Sequence, residues 1–330
     1  MANAAATQPL VDAQWLFSAQ DLEQTPSVTG VYDKAHQSAS PPRTAQALTP
    51  TQERVLRGKG VHLMFKMSEF LQLGQHVVAA AVTYFHRFFM RRPLQVSKSA
   101  SGWSHYEIAA ACVFLACKAE ESLRKMPAVV DAAMSSLDKS SEGQMRWADR
   151  SFRANQSSHE FLKWRDCILL HEEALLTTLC FDLVVPQPHE VLVHAARMLE
   201  VEKPLAQLAW SILNDSMRDP TFVLFDAPVL AAGAFQKACT VRNIDPAMYY
   251  GARPRDAPPA APEEAYYDWL DVFDVDEEEA QAAMDALDKD VYGFHMPLQH
   301  QRTHAKGEKR QENAPARERP SPCEEGKASR

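Results

Sequence analysis

Ten consecutive residues from Ile108 to Cys117 (Ile-Ala-Ala-Ala-Cys-Val-Phe-Leu-Ala-Cys) carry no polar side chain. Their alanines and leucine favour helix. With Ser104 before them and Lys118-Ala-Glu-Glu121 after them, they predict a helix over about residues 104–121. Ten apolar residues are about half of what a bilayer span needs. In water, a helix that is apolar all round has to be enclosed by other helices. Its small Ala and Cys side chains let those neighbours approach closely. Glycine points the same way. Only 11 occur in 330 residues, against a usual ~7%, too few for an all-β protein or a Gly-rich dinucleotide fold. The expected fold class is all-α.

Helical spacing predicts four more elements around that central one. The first begins at Thr49-Pro50-Thr51 with Thr51 as the expected cap, carries Val61, Met64, Phe65, Phe70 and Leu71, and stops at Gly74. The others cover about 75–92, 127–137 and 159–180. The pattern then repeats after Pro186 and Pro188, with helices expected near 189–200, 204–218, 226–240, 263–273 and 276–291. Pro204 and Pro228 lie near helix starts, where proline is tolerated. Residues 138–158 read as a polar loop. Trp15 to Glu23 reads as a short anchored helix ended by Thr25-Pro26-Ser27. Residues 28–49 read as a linker and 294–330 as a disordered tail. The organisation is thus an arm over 1–48, a first helical domain over 49–185, a second over 186–293, and a tail over 294–330.

Charge and motifs exclude several functions. The net charge of −8 is unevenly placed: residues 263–290 hold twelve Asp or Glu and one Lys, while 296–330 hold eight Lys or Arg and five Glu. The remainder is neutral, so the basic face of a nucleic-acid binder is not expected. The six cysteines form no CxxC pair, so neither a metal framework nor a disulfide framework is expected, and the chain reads as intracellular and reduced. No secretory leader and no membrane span are expected. His171-Glu172-Glu173 lacks the second His of a zinc-protease helix and reads as a polar stripe. His189 and His194 are five apart, off one face. Asp268, Asp271 and Asp274 have a spacing that suits magnesium. The interleaved Trp269, Leu270, Val272 and Phe273 favour an amphipathic surface helix instead. Phosphate-loop, dinucleotide and nucleophile-elbow motifs do not occur. No cofactor is expected, and a binding module is favoured over an enzyme.

Five segments in order resemble the cyclin family, most strongly over 76–183. They are Trp15 to Ser27, Tyr84-Phe-His-Arg-Phe88, Phe114-Leu-Ala-Cys-Lys-Ala-Glu-Glu121, Glu172 with Leu175, Leu176, Leu179 and Phe181-Asp-Leu183, and Trp210-Ser-Ile-Leu-Asn-Asp-Ser216. The Phe-His-Arg form and the N-terminal segment resemble the transcriptional cyclins T and K. The resemblance implies two tandem five-helix cyclin boxes and no catalysis of the chain's own. It also implies a nuclear regulatory subunit that activates a cyclin-dependent kinase acting on the RNA polymerase II C-terminal domain, and so promotes elongation. A third subunit is compatible with it.

The same resemblance assigns Lys118 and Glu172 as a pair meeting the kinase. Ala119, Leu176 and Leu183 become apolar contacts and Glu121 a further contact of the transcriptional branch. Ala119 is smaller than the residue many relatives carry. The substrate-docking Met-Arg-Ala-Ile-Leu patch of cell-cycle cyclins is not reproduced over Arg54 to Met67. A Mediator-associated cyclin C type is the runner-up. A DNA-binding factor of the IIB type would need a zinc ribbon, yet no cysteine precedes Cys112.

Overall fold

The computed structural model describes residues 13–30, 47–95, 102–140, 152–252 and 266–295, with single residues 145, 148 and 150. The expected linker and tail, and the middle of the expected 138–158 loop, lie largely outside these.

A 3-10 turn over Ala13–Trp15 precedes two short helices, α1 (Ala19–Glu23) and α2 (Pro26–Thr29). As expected, α1 stops just before Thr25-Pro26-Ser27, and Pro26 also begins a helix of its own, at the first position where its missing N–H costs nothing. The first large helix, α3, spans Pro50–Leu71. Its cap is Thr49, not Thr51, because Pro50 takes the first helical position. Thr49 accepts from the Gln52 N–H while the Gln52 side chain accepts from the Thr49 N–H. It ends at Gln72, whose φ of 53° is left-handed. Gly74, expected to stop this helix, is extended and caps the next one, α4 (Gln75–Arg91).

The helices α5 (His105–Ala119), α6 (Met126–Leu137) and α7 (His159–Thr178) complete the first unit. Every residue of α5 from Ile108 to Cys117 is buried. It packs against α3, α4, α6 and α7, the enclosure its apolar run required. Gly60 on α3 allows the closest approach there, since a Cβ would overlap the Phe85 ring of α4.

The second unit repeats the plan. Its helices are α8 (Pro188–Met198), α9 (Lys203–Ser216), α10 (Ala227–Arg242), α11 (Trp269–Phe273) and α12 (Glu277–Ala286), the last continued by a π-helical stretch over Leu287–Tyr292. Here α10 is central, against α8, α9, α11 and α12. Gly233 lets α12 come close: a Cβ there would meet that of Ala283 at 2.6 Å. The helix expected over 263–273 is shorter than predicted. Tyr266–Asp268 (β2) instead pairs antiparallel with Tyr250–Ala252 (β1), Tyr250 opposite Asp268. Paired tyrosines suit a strand, and a capping box between Asp268 and Asp271 starts α11 only at Trp269.

The two units are tied by polar contacts. Arg54 of α3 reaches Asp219 at 2.9 Å and Asp290 at 3.1 Å. Asp219 is fully buried and also accepts from the backbone N–H of Thr221 at 3.0 Å. The His86 Nε2 lies 3.0 Å from the Met217 carbonyl, and Gln75 donates to Asn214 at 2.6 Å. The buried Arg57 bonds Glu53 and the His86 carbonyl. The Phe-His-Arg segment thus sits where the units join. No helix of the described residues is long and apolar enough to cross a membrane.

Candidate functional site

Lys118 occupies the last turn of α5, where a cation also complements the helix dipole. It leaves the buried run and bonds the Glu172 carboxylate of α7 through both oxygens, at 2.7 and 2.9 Å. Its Nζ lies 4.1 Å from the Phe114 ring centroid, close enough for a cation–π contact. The lysine side chain is 43% exposed and the glutamate 13%. The acid is therefore sunk into the α5–α7 seam and presents the ammonium outward. The two residues that the resemblance paired are thus in direct contact.

Ala119 and Glu121 are exposed beside this pair, Glu121 with a left-handed φ of 52°. Leu176 follows Glu172 by one helical turn and is half-buried, as is Leu183. Two exposed apolar residues flank Leu183: Phe181 at 69% and Val184 at 82%. Leu123, 71% exposed, follows Glu121. Sequence reasoning used Phe181 as part of a motif and missed it as an exposed ring. Its signal is the residue pair Cys180-Phe181, both left-handed at φ 53° and 58°, which turns the chain out of α7.

That turn is held from the N-terminal arm. The Trp15 indole N–H donates to Asp182 at 2.8 Å. Trp15 is itself buried, with the Arg87 and Arg91 guanidinium carbons 5.0 and 5.7 Å from its ring centroid. The buried Tyr84 hydroxyl donates to the Leu183 carbonyl at 2.6 Å. Burial first, then the charge of Glu120, raises the Tyr84 pKa, so it stays a donor. Two aromatic anchors thus fix Asp182 and Leu183 and leave Phe181 outside.

The remaining motif residues separate from this surface. His171 is buried against α5, not part of a polar stripe, because it shares the inward line of Ile168 and Leu175. His189 is also buried and bonds Asn214 at 3.1 Å, while His194 is exposed. Asp268 and Asp271 cap α11, and Asp274 ends it at φ 57°. All three are exposed beside buried Trp269 and Phe273, as the expected amphipathic surface helix requires, and capping accounts for their spacing. The face around Lys118 offers apolar area with one lysine held in place by a carboxylate, an arrangement suited to gripping another protein surface.

Residues 31–184 match the family model for the cyclin N-terminal domain. Cyclin pch1 of Schizosaccharomyces pombe is 31% identical over 234 residues, 71% of this chain and 59% of that protein. Cyclin-K of Homo sapiens is 27% identical over 228 residues, 68% and 33% of the two chains. Cyclin-T1 of Homo sapiens is 26% identical over 231 residues, 70% and 27%. The chain therefore spans less than two thirds of these relatives. A chain of the yeast RNA Pol II CTD kinase CTDK-1 complex shares the fold, with a TM-score of 0.56 at 14% identity, covering 86% of this chain and 73% of that one. A chain of the CAK complex from Chaetomium thermophilum gives 0.50 at 16%, covering 95% and 96%. The family read from the five segments is the family these relatives share.

Proposed function

Since this chain belongs to the cyclin family, we propose that it is the regulatory subunit of a cyclin-dependent kinase that phosphorylates the RNA polymerase II C-terminal domain and promotes transcription elongation in the nucleus. Kinase binding is assigned to the first box, residues 49–185, and the second box is taken as residues 186–293. Activation works by population shift. The free kinase holds a catalytic glutamate outside its site, and a partner that binds the glutamate-in form better makes that form dominant. That glutamate then pairs with the lysine holding the ATP phosphates. The chemistry stays on the kinase, and this chain contributes binding energy alone.

The observation that carries this reading is the Lys118–Glu172 pair in its setting. Ala119, Glu121, Leu176 and Leu183 adjoin it as proposed contacts, and exposed Phe181 extends the apolar part. The kinship with pch1, Cyclin-K and Cyclin-T1 supports the polymerase-directed class.

The test is to purify the tagged protein from its own cells beside a Lys118→Glu, Glu172→Lys double variant and identify co-purifying kinases by mass spectrometry. The expected result is a kinase that phosphorylates C-terminal-domain repeats, bound by the wild type and lost from a variant with unchanged circular dichroism. A Mediator kinase would move the protein to the cyclin C type. Recovery of no kinase would overturn the function and leave the fold standing.

A further inference from the structure

We propose that Glu107 of α5 with Cys167 and His171 of α7 forms a zinc-binding site, a place where the sequence alone offers no metal motif. This inference is independent of the kinase reading. Ligand atoms of the three side chains lie within 4.8 Å of one another. Zinc bonds of about 2.0–2.3 Å in tetrahedral geometry put neighbouring ligand atoms about 3.3–3.6 Å apart, so the three side chains draw together as the ion binds.

The imidazole is already arranged for the task. Its Nδ1 lies 2.5 Å from the Cys167 carbonyl one turn earlier in α7. A bond donated there fixes the proton on Nδ1 and leaves the Nε2 lone pair free, the usual outer contact of a metal-bound histidine. Nε2 lies 3.8 Å from a Glu107 carboxylate oxygen. The Cys167 Sγ is 3.3 Å from the same ring at Nδ1. The Trp103 ring meets the His171 ring edge-on, with centroids 5.3 Å apart, which restrains its rotation. His171 is 9% exposed at its side chain and Glu107 33%. The site is therefore closed on the imidazole side and open on the carboxylate side, where an incoming ion and a fourth, water ligand have access.

The donor set selects the ion. One sulfur, one imidazole nitrogen and one carboxylate oxygen suit zinc, and a hard, all-oxygen cation such as magnesium or calcium would not use the thiolate. Zinc takes Cys167 as the thiolate: the S–H proton leaves to solvent as the Zn–S bond forms, with no change of oxidation state. The bound ion would tie α5 to α7 at the residue next to Glu172.

Cobalt(II) reports on such a site because thiolate ligation gives a charge-transfer band in the near ultraviolet. The full chain, stripped with chelator, is titrated with cobalt chloride and then with zinc. The expected result is one cobalt per chain, a thiolate band that zinc abolishes, and loss of that band in Cys167→Ser. Glu107→Gln, at a partly exposed position, should keep the fold and weaken binding about 10-fold or more. Cys180→Ser, altering an exposed thiol, should change nothing. Zinc at about 100 times its Kd should raise the Tm by several degrees in the wild type and by at most about half as much in Glu107→Gln. A band that survives Cys167→Ser, or a wild type that shows no thiolate band, overturns the site.

Discussion

The two boxes share one plan and place a lysine–carboxylate pair on it differently. In each, a central helix enclosed by four others carries a lysine paired with an acid of the element that closes the box: Lys118 in the last turn of α5 with Glu172 of α7, and Lys237 in the middle of α10 with Asp288 of the π-helical stretch. In the first box Lys118 is 43% exposed and Glu172 13%. In the second the order is inverted: Lys237 is 18% exposed and its partner Asp288 43%. The first box shows a cation steadied from below, beside exposed Phe181 and Val184. The second shows a carboxylate at the start of the π-helical stretch that also carries Asp290 to Arg54. A lysine–carboxylate pair therefore serves a proposed partner surface in one box and internal packing in the other.

Four experiments would break or sharpen that contrast. The largest effect is expected at the pair itself. Truncating one partner of a desolvated charge pair at an interface costs about 2–5 kcal/mol, so Glu172→Ala should weaken kinase binding about 100-fold, measured by surface plasmon resonance. Lys237→Ala in the second box should leave it within about threefold. Equal losses from both variants would erase the distinction.

Next comes the tie between the boxes. Arg54→Ala strips fully buried Asp219 of its cation. Breaking a buried pair costs about 3–5 kcal/mol, and the Thr221 bonds that Asp219 keeps place this one at about 3. Hydrogen exchange should lose protection at 220–223 and 287–292 before α5. Loss centred on α5 would mean that the boxes fold as one cooperative unit.

The third contrast is a shared pH response. Burial, with the charge of Lys59 assisting, lowers His105 in the first box to about 4, and burial lowers His189 in the second to about 4. Both rings are neutral when folded and take up a proton on unfolding below about 6.5. Their contribution is complete above that pH, falls as pH drops towards 4, and changes no further below. Each ring accounts for about 1.4 kcal/mol per pH unit within that window. Urea titrations of His105→Gln and His189→Gln should each show a shallower slope of stability against pH between 6.5 and 4. An unchanged slope in either would refute its burial as a neutral ring.

The smallest effect tests the aspartate spacing. Asp268→Ala and Thr49→Ala each remove an N-cap, α11 in the second box and α3 in the first, and each should cost about 1 kcal/mol. Magnesium should not change the Tm of either protein or of the wild type. A magnesium shift abolished in Asp271→Ala would restore the metal reading of that triplet.

Much was legible in the chain because its signals are local. The apolar run from Ile108 to Cys117 demanded enclosure, since no face of that helix tolerates water. The five motif segments carried the family and marked Lys118 and Glu172 as partners. Caps were read less well. The choice between Thr49 and Thr51 depends on which residue precedes the proline at the first helical position. The stop at Gln72 rather than Gly74 depends on which residue adopts the left-handed turn. The overlong helix near 263–273 failed because a strand partner 14 to 18 residues upstream competes for the same backbone, and no local pattern reports that.

What tertiary structure alone decided is which side chains meet. Glu107 lies sixty residues before Cys167, and Arg54 lies far from both Asp219 and Asp290. Their contacts follow from how helices cross, which periodicity does not encode. Exposure was decided in the same way. Phe181 belongs to the motif segment that ends α7, and the left-handed pair Cys180-Phe181, held by Trp15 on Asp182, turns it outward. By itself the sequence determined most of the helices, the enclosure of α5 and the family, because apolar periodicity and motif order are properties of neighbours along the chain. The geometry of the surface, and the ligand cluster beneath it, needed the packed helices, because distance in space is set by the crossing of elements that the chain lists far apart.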